Sequence, residues 1–587
     1  MKSSKLGHVK LNLMRTTEDV FEFKRWLGQS RRVLGVDTET GGLVGPHKDP
    51  LRLIQFGDLN EGWAIPWHLF AGVAIDTLNQ YEEDLVLHNS PYDAKFIIHH
   101  SGKDLKRWKW EKTNDTMTMA HIIDPLRPKG LKPLAAKYIG PEAKVGQGDL
   151  KDQMQKHGWG WDTIPWDLPE FWIYAALDPV LTAHIYEHLN PKIALQRNAY
   201  ELEMGAIRVT TNMMLKGMKI DESYCVTKRQ QLIDYAHQAR NYLQMKYGIE
   251  SIGSKNQLIA ALEKEGISLE KTTPSGAYAL DKAVLKSIDH EIAKTVLNIR
   301  KAEKMVGPYF DNFLELKDSN NRVHPTIWTC GARTGRMSVT EPALQTLPSG
   351  DPTVRNAFIP EEGNKLISCD YSQIESRLMA HFSEDPGLIA AFHSEEDFFC
   401  SLASTIFNEQ IDKNDKRRKL TKGVVYGKLY GAGVATMAAS GGVPIATMEH
   451  VVDQFDHNFP GVKQFQKVIE VLAKKRERED SRGWVKTPNG RILPCEKGKG
   501  YTLVNFLLQG HAAEILKRKL VELDAAGFGD NMCIPIHDEI IFEFPEEDAN
   551  VDTMKQIEET MSNLTDYKVP IVAEPELLEG AWGEKYE

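Results

Sequence analysis

Residues 365–382 read KLISCDYSQIESRLMAHF, and the fold of the larger part of the chain turns on them. Leu366–Cys369 is a short apolar run that reads as a buried strand, with Asp370 at its end. Beyond it Ile374, Leu378 and Phe382 recur every four residues, the spacing of one helix face. An acid at the end of a buried strand is held rigidly, and Glu375 and Arg377 follow within one and a half turns. Residues 533–545, CIPIHDEIIFEFP, are the counterpart. They read as a β-hairpin with His537 and Asp538 at or near its turn. Two aspartates fixed on neighbouring strands repel each other unless a cation lies between them.

Between these acids lies DKRRKLTKGVVYGKLYGAG. Its Arg418, Lys422, Tyr426 and Tyr430 fall at steps of four, drifting only about 40° per step along one helical stripe. Arginine and lysine are poorly suited to a core. The stripe is either a solvated face with snorkelling bases or a grip for a nucleoside triphosphate, with cations on the phosphates and rings against sugar and base.

A second carboxylate set lies near the N-terminus. In VLGVDTETGG the apolar run ends in Asp37 and Glu39, which the strand period of two puts on one face. HNSPYD supplies Asn89 and Asp93, and WIYAALDPV carries Tyr174 and Asp178 four apart on a helix that Pro169 starts. Pro179, directly after Asp178, is expected to kink that helix. Any one of these acids alone reads equally as a helix cap or a solvated side chain. Together, four acids suffice to hold two hard divalent cations, and such a pair suits in-line displacement at phosphorus.

The remaining text sets the frame. A chain of 587 residues, 41% hydrophobic and 26% charged, has the composition of several ordinary globular domains. With 72 basic against 82 acidic residues, net −10, any polyanion site must be a local basic groove. Six scattered cysteines without a CxxC pair point to neither zinc nor disulfides, and fit a reducing compartment. No basic-then-apolar leader and no 18-residue apolar run occurs, so a cytoplasmic protein with no membrane partner is expected. The first third alternates strand and helix. From Glu201 to Lys317 the text is helical around EKTTPSGAYALD (270–281), and from His324 strands return, interrupted by a helical block from Asp397 to Arg482. AKKRERED (473–480) has nearly balanced charge and reads as a solvated helix.

The order DxE, NxxxD, YxxxD resembles the three motifs of DEDD-type 3'-5' exonuclease domains, over about Arg31 to Leu189. DYSQIESRLMAHF, RKLTKGVVYGKLYG and IHDE resemble motifs A, B and C of family A DNA polymerases. TGRMSVTEPALQTLP, GWVKTPNGRILP and NFLLQGHAAEILKR accompany them. The match runs from about Glu201 to the end, and its wording leans toward the bacteriophage branch without a 5' nuclease domain. The resemblance implies an α/β and α+β multidomain fold: a ribonuclease H-like exonuclease domain at 1–195, then a right-hand polymerase domain at 196–587. Within the latter it implies a thumb at about 201–318, a palm at about 319–395 and 500–587, and fingers at about 396–499.

It also implies roles. Asp370 and Asp538 would hold two Mg2+ ions, and Asp37, Glu39, Asp93 and Asp178 two more, with Mn2+ as a substitute. Tyr174 would orient the attacking water. Arg418 and Lys422 would hold the dNTP phosphates, with Lys422 also a candidate acid. Tyr426 would pack on sugar and base, Tyr430 near the template base, and Glu375 would block a ribose 2'-hydroxyl. Arg336, Gln345, Asn505, Gln509 and His537 would touch primer-template DNA. Glu539 is a weak third ligand or a supporting residue, and Asp115 an acid between motifs or a helix N-cap. Asp397-Phe398-Phe399 departs from the family's Asp-Ile-His, so a histidine contact to the phosphates is missing. Arg300, Lys301 and Lys304 are either a solvated face or placed to track a duplex.

The function implied is a DNA-directed DNA polymerase with 3'-5' proofreading, in phage replication or in repair. Expected partners are a helicase, a single-strand binding protein or a processivity factor, and the expected place is the host cytoplasm. Glu375 and the exonuclease motifs speak against a single-subunit RNA polymerase. Intact acids at all six metal positions speak against a non-catalytic DNA-binding factor.

Overall fold

The computed structural model describes residues 8–144, 147–267, 280–348 and 350–586. Most of EKTTPSGAYALD therefore lies outside the described residues. The chain divides into two compact units. The first comprises residues 1–216, 327–338 and 367–577, and the second residues 217–326, 339–366 and 578–587.

The first unit opens with a six-stranded mixed sheet: β1 Lys10–Leu13, β2 Leu34–Thr40, β3 Leu51–Gly57, β4 Glu61–Pro66, β5 Leu85–Leu87 and β6 Thr113–Asp115, in the order β1-β4-β3-β2-β5-β6. β2 runs antiparallel to β3 and parallel to β5, so it lies in the middle of the sheet with Asp37 and Glu39 near its end. Helices α1 Ser90–Ser101, α2 Leu131–Tyr138 and α3 Pro169–Ile193 flank it.

The approach of α3 explains three glycines. A Cβ on Gly35 would stand 2.2 Å from the Pro179 carbonyl oxygen, and one on Gly62 2.1 Å from that of Ala176; at Gly57 it would crowd Val180. Backbone therefore meets backbone, and Asp178 is carried down onto the strand bearing Asp37. α3 runs on through Pro179, which is buried against the sheet. A proline forfeits one helical hydrogen bond, and close packing on the strands offsets that cost.

Next comes α4 Arg197–Lys216, which lies against α1 of the exonuclease region. α4 belongs to the first unit.

A four-stranded sheet follows, in the order β8-β9-β7-β10, made of β7 Asn364–Tyr371, β8 Met532–Ile536, β9 Glu539–Pro545 and β10 Ala573–Leu578. β8 and β9 are antiparallel, and Ile536 pairs with Glu539, leaving His537 and Asp538 as a two-residue turn with His537 at φ 57°. The expected hairpin is there. Helices α5 Ile374–Ser383, α6 Lys416–Tyr430 and α7 Leu503–Leu523 belong to the same unit. The helical block expected from Asp397 to Arg482 corresponds to helices between Phe398 and Asp480, and its end, read as solvated, is largely exposed.

The second unit holds the long helices Glu222–Tyr247 and Glu291–Met305, packed through Leu243, Ile292, Val296 and Ile299. Here the basic stretch is only partly available: Lys301 pairs with Asp351 at 2.5 Å, and Arg300 reaches the carbonyls of Leu280 and Ile252, while Lys304 is exposed. Gln345 lies in this unit, in the 3-10 turn Leu344–Thr346. All six cysteines are buried and none is in a disulfide. Among the described residues no helix is long and apolar enough to cross a membrane.

Candidate active sites

The N-terminal carboxylates converge. Asp37, Glu39 and Asp178 bring ligand oxygens within 4.8 Å of one another. Asp93, on the first turn of α1, is buried and accepts a 2.6 Å hydrogen bond from Thr38 on β2. Burial raises the Asp37 pKa well above the carboxylate range, and the Asp93 charge adds most after it, followed by Asp178 and Glu39. Burial likewise pushes Glu39 up to about 8, with Asp178 adding and Lys132 opposing, and pushes Asp93 up to about 7 against its Thr38 hydrogen bond. Asp178 is raised by burial and eased by Lys132 and by the Tyr174 hydroxyl. Four acids so placed stay ionised together only with cations among them. An all-oxygen donor set of this kind fits hard divalent ions.

Asp115 takes the second of its two readings. It caps the helix Thr116–Ile123 through Thr118 N at 2.9 Å, and it also accepts from Ser90 N at 2.6 Å. It thus fixes the start of α1, where Asn89 adopts φ 73°, and through α1 the position of Asp93. Tyr200 of α4 supports it from behind, its hydroxyl accepting from Asp115 N at 2.9 Å. Sequence reasoning missed Lys132, on the first turn of α2. Its side chain is 11% exposed, is ion-paired with Asp178, and lies 4.4 Å from the Tyr174 ring centroid. Only its neighbourhood in space marks it.

In the other site β9 and β7 are neighbours, and Tyr371 N donates to Asp538 O at 3.2 Å, so Asp370 and Asp538 share one edge of the sheet. Glu539 is buried and accepts from Ser368 Oγ on β7 at 2.5 Å, a bond that ties the hairpin to the Asp370 strand. After Asp370 the chain passes Gln373 at φ 53° and starts α5, with Glu375 in its first turn. Tyr430 donates to Glu375 at 2.8 Å, and Arg336 is ion-paired with the same carboxylate.

The stripe on α6 is realised. Arg418 holds Asp397 through two hydrogen bonds of 2.9 and 2.8 Å, and this pairing keeps the Asp397 carboxyl well below its ordinary pKa. Lys422 lies 5.4 Å from the Phe399 ring and 5.8 Å from that of Tyr426, and Tyr426 stacks on Tyr430 at 6.0 Å. Phe399, where a histidine was expected, is buried and forms an apolar floor beneath Arg418 and Lys422. Asn505 and Gln509 lie one turn apart on α7, half-buried, and His537 occupies the hairpin turn beside Asp538.

Comparison with known proteins agrees. Residues 223–584 match DNA polymerase family A, and residues 14–194 match the family described as 3'-5' exonuclease. The DNA polymerase of Mycobacterium phage D29 is 30% identical over 98% of this chain and 97% of its own, and that of phage L5 is 27% identical over similar lengths. DNA polymerase I of Pseudomonas aeruginosa is 27% identical over 78% of this chain and 52% of its own. In fold, the chain is similar to the POL domain of Pol1 from M. smegmatis, solved in complex with DNA primer-template and dNTP. The TM-score is 0.80, with 22% identity over 98% of this chain and 99% of that one. With both metal-dependent domains in one chain, this protein belongs to DNA polymerase family A and is a DNA-directed DNA polymerase with a 3'-5' exonuclease.

Proposed function

We propose that the protein copies phage DNA in the host cytoplasm, extending a primer with dNTPs at the Asp370–Asp538 site and trimming mispaired ends at the Asp37, Glu39, Asp93 and Asp178 site, each with two Mg2+ ions. The observation that carries this reading is the pairing of β7 with β9, which sets two aspartates at one sheet edge in the unit that also carries a helix of cations and rings. The full-length likeness to phage D29 polymerase favours replication over repair.

Bound divalent ions would lower the pKa of the attacking oxygen and hold the leaving group at each site. The chain's own residues do the rest. Arg418 and Lys422 bind the triphosphate, and Lys422 is placed to give a proton to the departing pyrophosphate. Tyr426 packs on the sugar, and Glu375, pinned by Tyr430 and Arg336, closes the space that a 2'-hydroxyl needs. Arg336, Gln345, Asn505, Gln509 and His537 contact the primer-template near its end, several of them through the minor groove, where the degenerate pattern reports pair shape rather than sequence. In the exonuclease Tyr174, hydrogen-bonded to Asp178, orients the water.

A labelled primer with dNTPs and Mg2+ tests both halves. Asp538→Asn abolishes extension and keeps 3' excision, and Asp37→Ala does the reverse. Extension by Asp538→Asn, or excision by Asp37→Ala, overturns the corresponding assignment.

A further inference from the structure

We propose that Lys132 is a phosphate-binding residue of the exonuclease site, one that favours the DNA 3' end at the expense of metal affinity. The proposal rests on the reading that Asp37, Glu39, Asp93 and Asp178 hold the ions.

Lys132 is almost buried, and a buried ammonium needs a partner. In the protein alone that partner is Asp178, and the Tyr174 ring covers the ammonium. The lysine also opposes the raised pKa of Asp37 and Glu39, so its field reaches these two acids as well as Asp178. A lysine kept only to neutralise Asp178 would be at odds with the site, because it repels the divalent ions that four carboxylates are there to hold.

The charge count resolves the conflict. Four carboxylates balance two divalent ions, leaving the ammonium of Lys132 as the one uncompensated charge. A phosphodiester carries one negative charge, and its pentavalent transition state carries more. Once the ions draw on Asp178, the lysine's remaining partner is the scissile phosphate. The site is neutral with both ions and a DNA end, and positive with ions alone. Lys132 therefore disfavours idle metal loading and favours loading with substrate.

This predicts effects of opposite sign, which a merely structural lysine would not give. The full chain carrying Asp370→Asn and Asp538→Asn, which removes the polymerase aspartates, is titrated calorimetrically with Mn2+ without DNA, with Asp37→Ala in the same background as the reference for binding elsewhere. Adding Lys132→Met tightens Mn2+ binding by about tenfold. Anisotropy of a labelled single-stranded oligonucleotide in Ca2+ shows its binding at this site weakened by about tenfold or more. In an otherwise native chain Lys132→Met slows excision by roughly 10²-fold, Lys132→Arg restores most of it, and both variants extend primers at the native rate, which shows that they are folded. Mn2+ affinity unchanged or reduced in Lys132→Met, or excision and oligonucleotide binding at native levels, overturns the proposal. If Asp37→Ala also excises normally, the assignment of the whole site fails instead. If Asp37→Ala is inactive while Lys132→Met is unimpaired, only the role of Lys132 falls.

Discussion

The two acidic sites solve the same chemical problem with different charge supplies. In the exonuclease the protein brings four carboxylates and one lysine, buried so deeply that Glu39 is pushed up to about 8 and Asp93 to about 7. In the polymerase it brings two carboxylates at a sheet edge and a neighbouring helix of cations and rings. The substrate explains the contrast. A DNA end offers a single phosphodiester charge, so the protein itself must supply the acids that hold two ions. On the proposed reading a dNTP brings a polyanionic triphosphate that shares the ions, so two acids suffice and Arg418 and Lys422 are expected to balance the excess.

The largest expected effect separates the two. Asp178→Asn removes one of four acids from a site with no spare ligand and should slow excision roughly 10³-fold or more, with primer extension unchanged. A parallel loss of extension would mean that the sites are not independent. Next is the sugar pocket. Tyr426 stacks on Tyr430 and lies 6.1 Å from Phe399, and on the proposed reading its hydroxyl is expected to fill the place of a sugar 3'-hydroxyl. The native enzyme should accept dideoxynucleotides almost as readily as dNTPs, and Tyr426→Phe should discriminate against them about 10²-fold. Read-through by the native enzyme at equal concentrations of the two would sink that assignment. Smaller again, Arg418→Ala should raise KM for dNTPs by about tenfold, the loss of a charge-assisted contact, with excision untouched.

What could be read from the sequence follows the same division. Asp37 with Glu39, and Tyr174 with Asp178, are joined by the local periods of strand and helix, so their shared faces were legible. The Arg418 to Tyr430 stripe was legible for the same reason, as was the His537–Asp538 turn. Lys132 was not, because its partner Asp178 lies 46 residues away and KGLKPLAAKY has no pattern that aims one lysine inward. Asp115 and Glu539 could be narrowed only to two readings each, since capping Ser90 or joining Ser368 depends on chain segments 25 and 171 residues distant. Pro179 carries a real local cost, and the packing on Gly35 and Gly57 that offsets it depends on strands more than a hundred residues away.

The smallest effect is the most diagnostic of the contrast, because it needs no substrate. In metal-free protein Glu39 and Asp93 hold their protons to about 8 and 7, against ordinary values of 4.5 and 3.8. Between those limits these two groups bind more protons in the folded state than in the unfolded one, so their contribution to stability falls as pH rises. Asp397, near the polymerase site, is shifted the other way; its stabilising contribution is complete above its ordinary value of 3.8 and is lost only in acid. Burial lowers the pKa of His88, His100, His121 and His381 below 6.5, which opposes the fall near pH 6 and is exhausted by about pH 7.5. From about pH 7.5 to about pH 8.5, then, the slope belongs to the exonuclease. In EDTA the first thermal transition should drop by roughly 2–5 °C across that range, and Mg2+ should restore it most at the alkaline end, where the ion no longer displaces protons. Glu39→Gln should flatten the slope and Asp538→Asn should leave it intact. A slope that vanishes in Asp538→Asn would place the crowded charge at the polymerase site and reverse the comparison.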